Sequence, residues 1–257
     1  MLSRVEEFEQ IYILDSLPVG KIRASPKALA ELEEMNRRSI NSNPILWKQT
    51  NENLIKIASM NSMNLFNNYD DIISDQTIME STIIVLSETW LEEKDIIHIN
   101  GYESHLNSIG PGKGLALYFK KEFGNPGTTD IKKEKIQITK LTFEQLDLIA
   151  VYRSELGNLT EMLEHLENLI NFDKWTVVCG DFNICYTTNR KNKVTQWLEK
   201  NEFTQLMKES THIRGRLIDH FYHRPIGNTP QVPSVYRYTP YYSDHDATCI
   251  TFTKTGL

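Results

Sequence analysis

The sequence predicts an α/β fold with many strands. Two observations carry that expectation. From Asn53 onward, short apolar runs alternate with amphipathic segments, and polar clusters fall at or just past the ends of the runs. Open α/β folds place their reactive side chains at such strand ends, so the pattern predicts a site assembled from several strands.

In chain order, residues 1 to about 50 differ in composition from the rest. They carry an apolar Ile11-Tyr12-Ile13-Leu14, then polar helical sequence, then an Asn-rich stretch that marks a linker around Arg38 to Gln49. The expected division is a separate piece over 1–50 and one main domain over 51–257. Strands are predicted at LIKIASM, STIIVLSE, GLALYF, IQITKL, QLDLIAVY, WTVVCG, LIDHFYH and ATCITF. The glycines of GPGKG at 110–114 lack the spacing of a phosphate loop, and no Ser or Thr follows the lysine, so a hairpin turn is expected there. One helix is signalled by the capping-box spacing of Asn158 and Glu161, with Met162, Leu163, Leu166, Leu169 and Ile170 on one face. A second is expected over Val194 to Lys200, and the prolines from Pro225 to Pro240 predict a long loop.

Composition narrows the function classes. With 257 residues, 40% of them hydrophobic and 24% charged, the chain is an ordinary globular protein able to bury a sizeable core. No apolar run approaches the ~18 residues a membrane span needs, and the acidic N-terminus does not read as a signal peptide. An intracellular protein with no membrane partner is expected. Cys179, Cys185 and Cys249 form no CxxC pair and are odd in number, which argues against a disulfide framework or a zinc cluster. A net charge of −6 is unlike a protein that grips nucleic acid by its overall charge, so DNA binding would need a local basic surface and a metal.

The strand-end groups are Asn61, Glu88, Tyr152, Asp181 with Asn183, and Asp244 with His245, while Asp219 is expected inside the strand LIDHFYH. Singly, each reads as a turn former, a helix cap or a surface residue. Together they supply hard oxygen ligands, spare carboxylates, an amide and an imidazole. That set suits phosphodiester hydrolysis, where charge on phosphate is neutralised, a carboxylate activates water, and amide and imidazole stabilise the developing charge.

From Leu54 to about Phe252 the motifs KIASMN, LSETWL, AVYR, GDFN, LIDH and SDHDA stand in one order. In that order they resemble the endonuclease/exonuclease/phosphatase family, which includes apurinic endonucleases, deoxyribonuclease I and transposon endonucleases. The resemblance implies a four-layer α/β sandwich, two packed mixed sheets flanked by helices. It implies Glu88 as the principal ligand of Mg²⁺, with Mn²⁺ as a substitute, and Asn61 and Asp244 near the metal. Asp181 would orient or deprotonate water, and Asn183 would donate to a phosphate oxygen. His245, paired with Asp219, would contact the phosphate, and Tyr152 would hold the phosphate or assist the leaving oxygen.

Two departures stand out. Met63 occupies a position that is acidic or amide in many relatives, which shifts metal binding toward Glu88. Arg153-Ser154 replaces a common Pro-containing pair and fits the transposon type better. Arg153, Arg190, Arg214 and Arg216 are the candidate contacts to DNA backbone, against the plainer reading of a solvated surface. LSRVEEFEQIYIL resembles the end of a Pif-type helicase, as in Helitron and Helentron proteins, with Arg4 as its phosphate-contacting arginine. No phosphate loop accompanies it, so helicase activity is not expected. The resulting expectation is a Mg²⁺-dependent DNA endonuclease of a transposable element, nuclear, leaving a 3′-hydroxyl, with no protein partner inferable. The competing readings are a phosphodiesterase of the same fold acting on RNA or a phospholipid, and a degenerate protein that only binds DNA.

Overall fold

A computed structural model describes residues 54–144, 146–226 and 233–253. The expected N-terminal piece, its boundary near residue 50 and Arg4 lie outside the described residues. Within them, residues of mixed strand and helix propensity form two six-stranded sheets.

The first sheet contains β1 (Leu54–Asn61), β2 (Ile83–Ser87), β3 (Tyr102–Asn107), β4 (Leu115–Lys120), β11 (Ser234–Tyr238) and β12 (Ala247–Thr253), in the order β11-β12-β1-β2-β4-β3. The second contains β5 (Gly127–Lys133), β6 (Ile136–Thr142), β7 (Leu146–Arg153), β8 (Trp175–Asp181), β9 (Thr204–Gln205) and β10 (Asp219–Arg224), in the order β5-β6-β7-β8-β10-β9. Each sheet is antiparallel apart from one central parallel pair, β1 with β2 and β7 with β8. A parallel pair needs a crossover. The first crossover holds the short helices α1 (Tyr69–Ser74) and α2 (Gln76–Met79), and the second holds α3 (Leu159–Leu169). A fourth helix, α4 (Lys193–Lys200), follows β8.

Strand alternation sends one set of side chains between the sheets and the other set outward. Ile55, Ile57, Val85 and Leu117 from the first sheet meet Leu148, Ala150, Val177, Cys179 and Phe221 from the second in the inner core. Outside the first sheet, Ala58, Met60, Ile84 and Leu86 pack with Ile72 and Ile78 of the short helices. Outside the second, Ile149, Val151 and Val178 pack with Met162 and Leu166 of α3 and with Val194 and Leu198 of α4. The result is the four-layer sandwich, with a thin outer layer on the first sheet because its two helices span only 6 and 4 residues.

α3 starts where Asn158 Oδ1 accepts the Thr160 and Glu161 amides at 2.8 and 3.4 Å, and α4 starts where Asn192 Oδ1 accepts the Thr195 amide at 2.9 Å. The GPGKG segment lies in the loop joining the antiparallel strands β3 and β4, as a hairpin. The expected loop from Pro225 to Pro240 is corrected at Ser234–Tyr238, which is the edge strand β11. Pro233 and Pro240 lie just outside that strand, where a missing N–H costs no ladder bond. Asp219 opens β10 instead of lying inside a longer strand, because Leu217 and Ile218 give their carbonyls to the loop amides of Tyr186 and Phe182.

Candidate active site

Strand register brings the polar strand ends together. Across β7, β8 and β10, Tyr152 pairs with Asp181 and Asp181 pairs with Asp219, so three side chains stand in one row at the end of the second sheet. At the matching end of the first sheet, Asn61 closes β1, and Glu88 follows β2 directly. The two ends are joined by Asn61, whose Nδ2 donates to Asp181 Oδ2 at 3.0 Å and lies 3.5 Å from His245 Nε2.

The backbone around the site is held in unusual conformations. Glu88, Trp90, Met63 and Asn183 have φ between 47° and 61°, a region that non-glycine residues rarely occupy and that surrounding structure must enforce. At Met63, Glu88 and Trp90 two loops enforce it by lacing together. Ser62 N donates to Ser87 O at 2.8 Å, Asn64 N to Glu88 O at 2.9 Å and Leu65 N to Thr89 O at 3.0 Å. Beneath Asp181, Gly180 has φ +127° and a Cβ there would lie 2.1 Å from Val151 O, so β7 and β8 close up only around glycine.

Asp181 is 1% exposed and accepts from the Asn183 amide at 2.9 Å as well as from Asn61. Burial, then the negative charge of Asp219, pushes its carboxyl well above the ordinary range, against the counter-pull of His245. His245 Nδ1 lies 2.9 Å from Asp219 Oδ2, leaving Nε2 toward Asn61. Burial alone would lower this imidazolium, but the charge and hydrogen bond of Asp219 override it and raise it to about 10. Tyr152 donates its single hydroxyl proton toward Gly112 O at 2.9 Å and Glu88 Oε1 at 3.2 Å. Burial and the Glu88 charge raise the phenol, so it remains protonated. The hairpin loop thus forms one wall of the site.

Glu88 is half-buried, and burial is the main reason its carboxyl is raised. The neutral Tyr152 hydroxyl donates to it, and the positive charge of His245 offsets part of this rise while the charge of Asp244 adds to it. A carboxylate desolvated beside a second carboxylate fits a hard cation with oxygen ligands. Two other groups bring three ligand atoms together: His212 with Asp244 and His245, and Asp181 with Asp219 and His245. Neither is the better metal site, because in both His245 already pairs with Asp219. In the first group, His212 Nδ1 accepts the Arg214 amide at 3.0 Å, which puts the ring proton on Nε2 and leaves no lone pair there.

His212 is the site residue that sequence reasoning missed. It is buried, its Nε2 lies 3.4 Å from Asp244 Oδ2, and its ring meets that of His245 edge-on at 4.7 Å. Burial and the His245 charge hold it below the usual histidine range, consistent with a neutral Nε2–H donor to Asp244. Met63 also supports Asp244, accepting its amide on Sδ at 3.4 Å.

Two of the expected residues are engaged within the protein. Arg153 is 5% exposed, and its guanidinium donates to the carbonyls of Phe182, Ser154, Glu155, Gly157 and Asn183, so it clamps the loops behind the site. Asn183 spends its side-chain amide on Arg153 O at 3.0 Å and Asp181 Oδ2 at 3.3 Å, which makes it a support for Asp181 instead of a free phosphate donor. Arg190 and Arg214 are exposed; Arg190 pairs with Glu199 at 3.1 Å, and the half-exposed Arg216 pairs with Glu155 at 2.9 Å.

Residues 61–245 match the Endonuclease/Exonuclease/phosphatase family, a span that begins at Asn61 and ends at His245. The chain belongs to the endonuclease/exonuclease/phosphatase family. The family's enzymes depend in general on divalent metal, in keeping with the chemistry around Glu88. Solved structures share the family fold. An AP endonuclease from Archaeoglobus fulgidus is 16% identical with a TM-score of 0.59, covering 76% of this chain and 98% of its own. The endonuclease domain of TRAS1, a telomere-specific non-LTR retrotransposon, is 11% identical with a TM-score of 0.56, covering 78% and 98%. A humanized D. rerio TDP2 is 18% identical with a TM-score of 0.54, covering 79% and 100%. No curated protein matches the sequence. Among the described residues, no helix is long and apolar enough to cross a membrane.

Proposed function

We propose that this member of the family is a Mg²⁺-dependent DNA endonuclease of a transposable element, nicking one strand and leaving a 3′-hydroxyl. The observation that carries the reading is the single cluster in which Asn61 donates to the buried Asp181 carboxyl and stands beside the His245–Asp219 pair. A cation held by Glu88 and Asp244 would neutralise phosphate charge, and Mn²⁺ would substitute for Mg²⁺ there.

The side chains divide the remaining work. Asp181, fixed in orientation by two amides and made more basic by burial, accepts a proton from the attacking water at Oδ in its ionised form, which the charge of His245 favours and a bound cation would favour further. His245, positively charged through Asp219, donates from Nε2 to a non-bridging phosphate oxygen. Tyr152 keeps its proton and offers the hydroxyl to the phosphate or the leaving oxygen. Arg190, Arg214 and Arg216 are the proposed backbone contacts, reached once substrate competes with Glu199 and Glu155.

DNA as substrate is supported by the printed descriptions of an AP endonuclease and a retrotransposon endonuclease domain among the structural neighbours. The mobile-element origin and nuclear location rest on the helicase-like N-terminal sequence. That segment is proposed to be dispensable for cleavage, since all eight site residues expected from the sequence lie between 61 and 245. The test is incubation with supercoiled plasmid and Mg²⁺, followed by extension of the nick with a DNA polymerase. Extension without prior phosphatase treatment is expected, and nicks that extend only after phosphatase would contradict the mechanism.

A further inference from the structure

Trp90 stands two residues after Glu88 in an arrangement the chemistry above does not use. Its φ is 61°, a left-handed conformation that a bulky side chain adopts only under constraint. Thr89 and Leu91 on either side are fully buried, whereas Trp90 is 40% exposed. Backbone bonds impose the turn: Trp90 N donates to Lys113 O at 2.9 Å, Gly110 N to Leu91 O at 2.9 Å, and Thr89 O accepts Leu65 N at 3.0 Å. Among the described residues the indole has no hydrogen-bond, ring or cation–π partner. The loop therefore holds a large flat apolar surface out toward solvent at a cost in backbone strain.

Its surroundings suit an unpaired base. Met63 and Phe66, on the loop laced to this one, are 41% and 54% exposed. Lys113, whose carbonyl anchors Trp90, pairs with Glu134 at 3.5 Å, and the chain carries a net charge of −6. Grip through phosphate charge is weak at this rim, and stacking is the sequence-tolerant alternative. Two residues of chain reach at most about 7 Å, so the backbone of Trp90 stands close to that of Glu88. A base adjoining the scissile phosphate thus falls within range of the indole.

We propose that Trp90 is a stacking platform for an unpaired nucleobase flanking the scissile phosphodiester, so that the enzyme prefers single-stranded or locally unpaired DNA over intact duplex. The proposal rests on the endonuclease reading and names its substrate class. Binding and cleavage separate the two ideas. Affinity for a fluorescent single-stranded oligonucleotide and for its blunt duplex is measured by anisotropy in wild type, Trp90→Phe and Trp90→Gly, and both DNAs are then offered for cleavage with Mg²⁺.

Wild type should bind the single strand more tightly. Trp90→Gly should lose roughly tenfold of that affinity, while Trp90→Phe keeps most of it and duplex binding stays within about twofold. Glycine also relieves the left-handed strain, so the melting temperature of Trp90→Gly should hold or rise. Equal affinity of wild type and Trp90→Gly for the single strand, or a clear fall in melting temperature on that substitution, overturns the proposal. Failure of wild type to cleave either DNA counts against the endonuclease reading, while the binding comparison still decides the role of Trp90.

Discussion

At the level of single residues, the site is a set of hydrogen bonds that fix protons. Asp219 takes the Nδ1 side of His245, Asn61 and Asn183 orient Asp181, and His212 turns Nε2–H toward Asp244. The last contact gives a separable prediction. His212→Phe keeps the bulk but removes the donor, and should weaken divalent-metal binding about tenfold, the lower end of what a lost supporting partner costs. His212→Gln, which retains a donor near Nε2, should recover much of that loss. Calorimetric titration with Mn²⁺ reads this directly, and unchanged affinity in His212→Phe would remove His212 from the site. Glu88, Asp181 and His245 stand out in the sequence because they sit at ends of apolar runs. His212 does not, since Thr-His-Ile-Arg carries no spacing signal and the residue reaches the site only through its bridge to His245. The burial of Arg153 was equally illegible, because an arginine after a strand reads as a surface cation until its five carbonyl partners are seen.

At the level of elements, legibility followed burial. β1, β2, β4, β7, β8 and β12 are largely buried and read as apolar runs. The edge strands β3, β5 and β11 did not, because sequences such as YESHLN and GTTDIKK face solvent and lose the apolar pattern. α3 was legible from its cap and its apolar face. Leu166 on that face is fully buried against the second sheet, so Leu166→Ala should cost about 2–5 kcal/mol. Denaturant unfolding measures it, and a loss under about 1 kcal/mol would mean that α3 is only loosely docked on the sheet.

Across the whole molecule, pH bears on stability through histidines buried away from the chemistry. His220, fully buried with Nε2 at 2.8 Å from Ile184 O and its ring stacked on Phe182 at 4.6 Å, is lowered to about 4, and burial lowers His223 likewise to about 4. A depressed folded value means the contribution is complete above the unfolded histidine range near 6.5 and is lost as pH falls toward 4. The raised Glu88 and Asp181 act in the opposite sense over the same window, since they hold protons in the folded state that the unfolded chain has released. A difference measurement isolates the histidine. In His220→Gln, where an amide can still donate to Ile184 O, the rise of stability between pH 4 and 6.5 should flatten by up to about 1.4 kcal/mol per pH unit. Identical slopes for variant and wild type would show that His220 titrates normally in the folded protein.

The two sheets exist in this arrangement to bring Asn61, Glu88, Tyr152, Asp181 and His245 to one place, and the central claim is that this cluster hydrolyses DNA phosphodiesters with a divalent metal. The most direct test is conversion of supercoiled plasmid to the nicked form by wild type, Glu88→Ala and Asp181→Ala, each with Mg²⁺ and with EDTA. Wild type should nick only with the metal, and both variants, with thermal unfolding near that of wild type, should be slower by on the order of a hundredfold or more. Nicking that persists in EDTA, or at near wild-type rates in either folded variant, would contradict it.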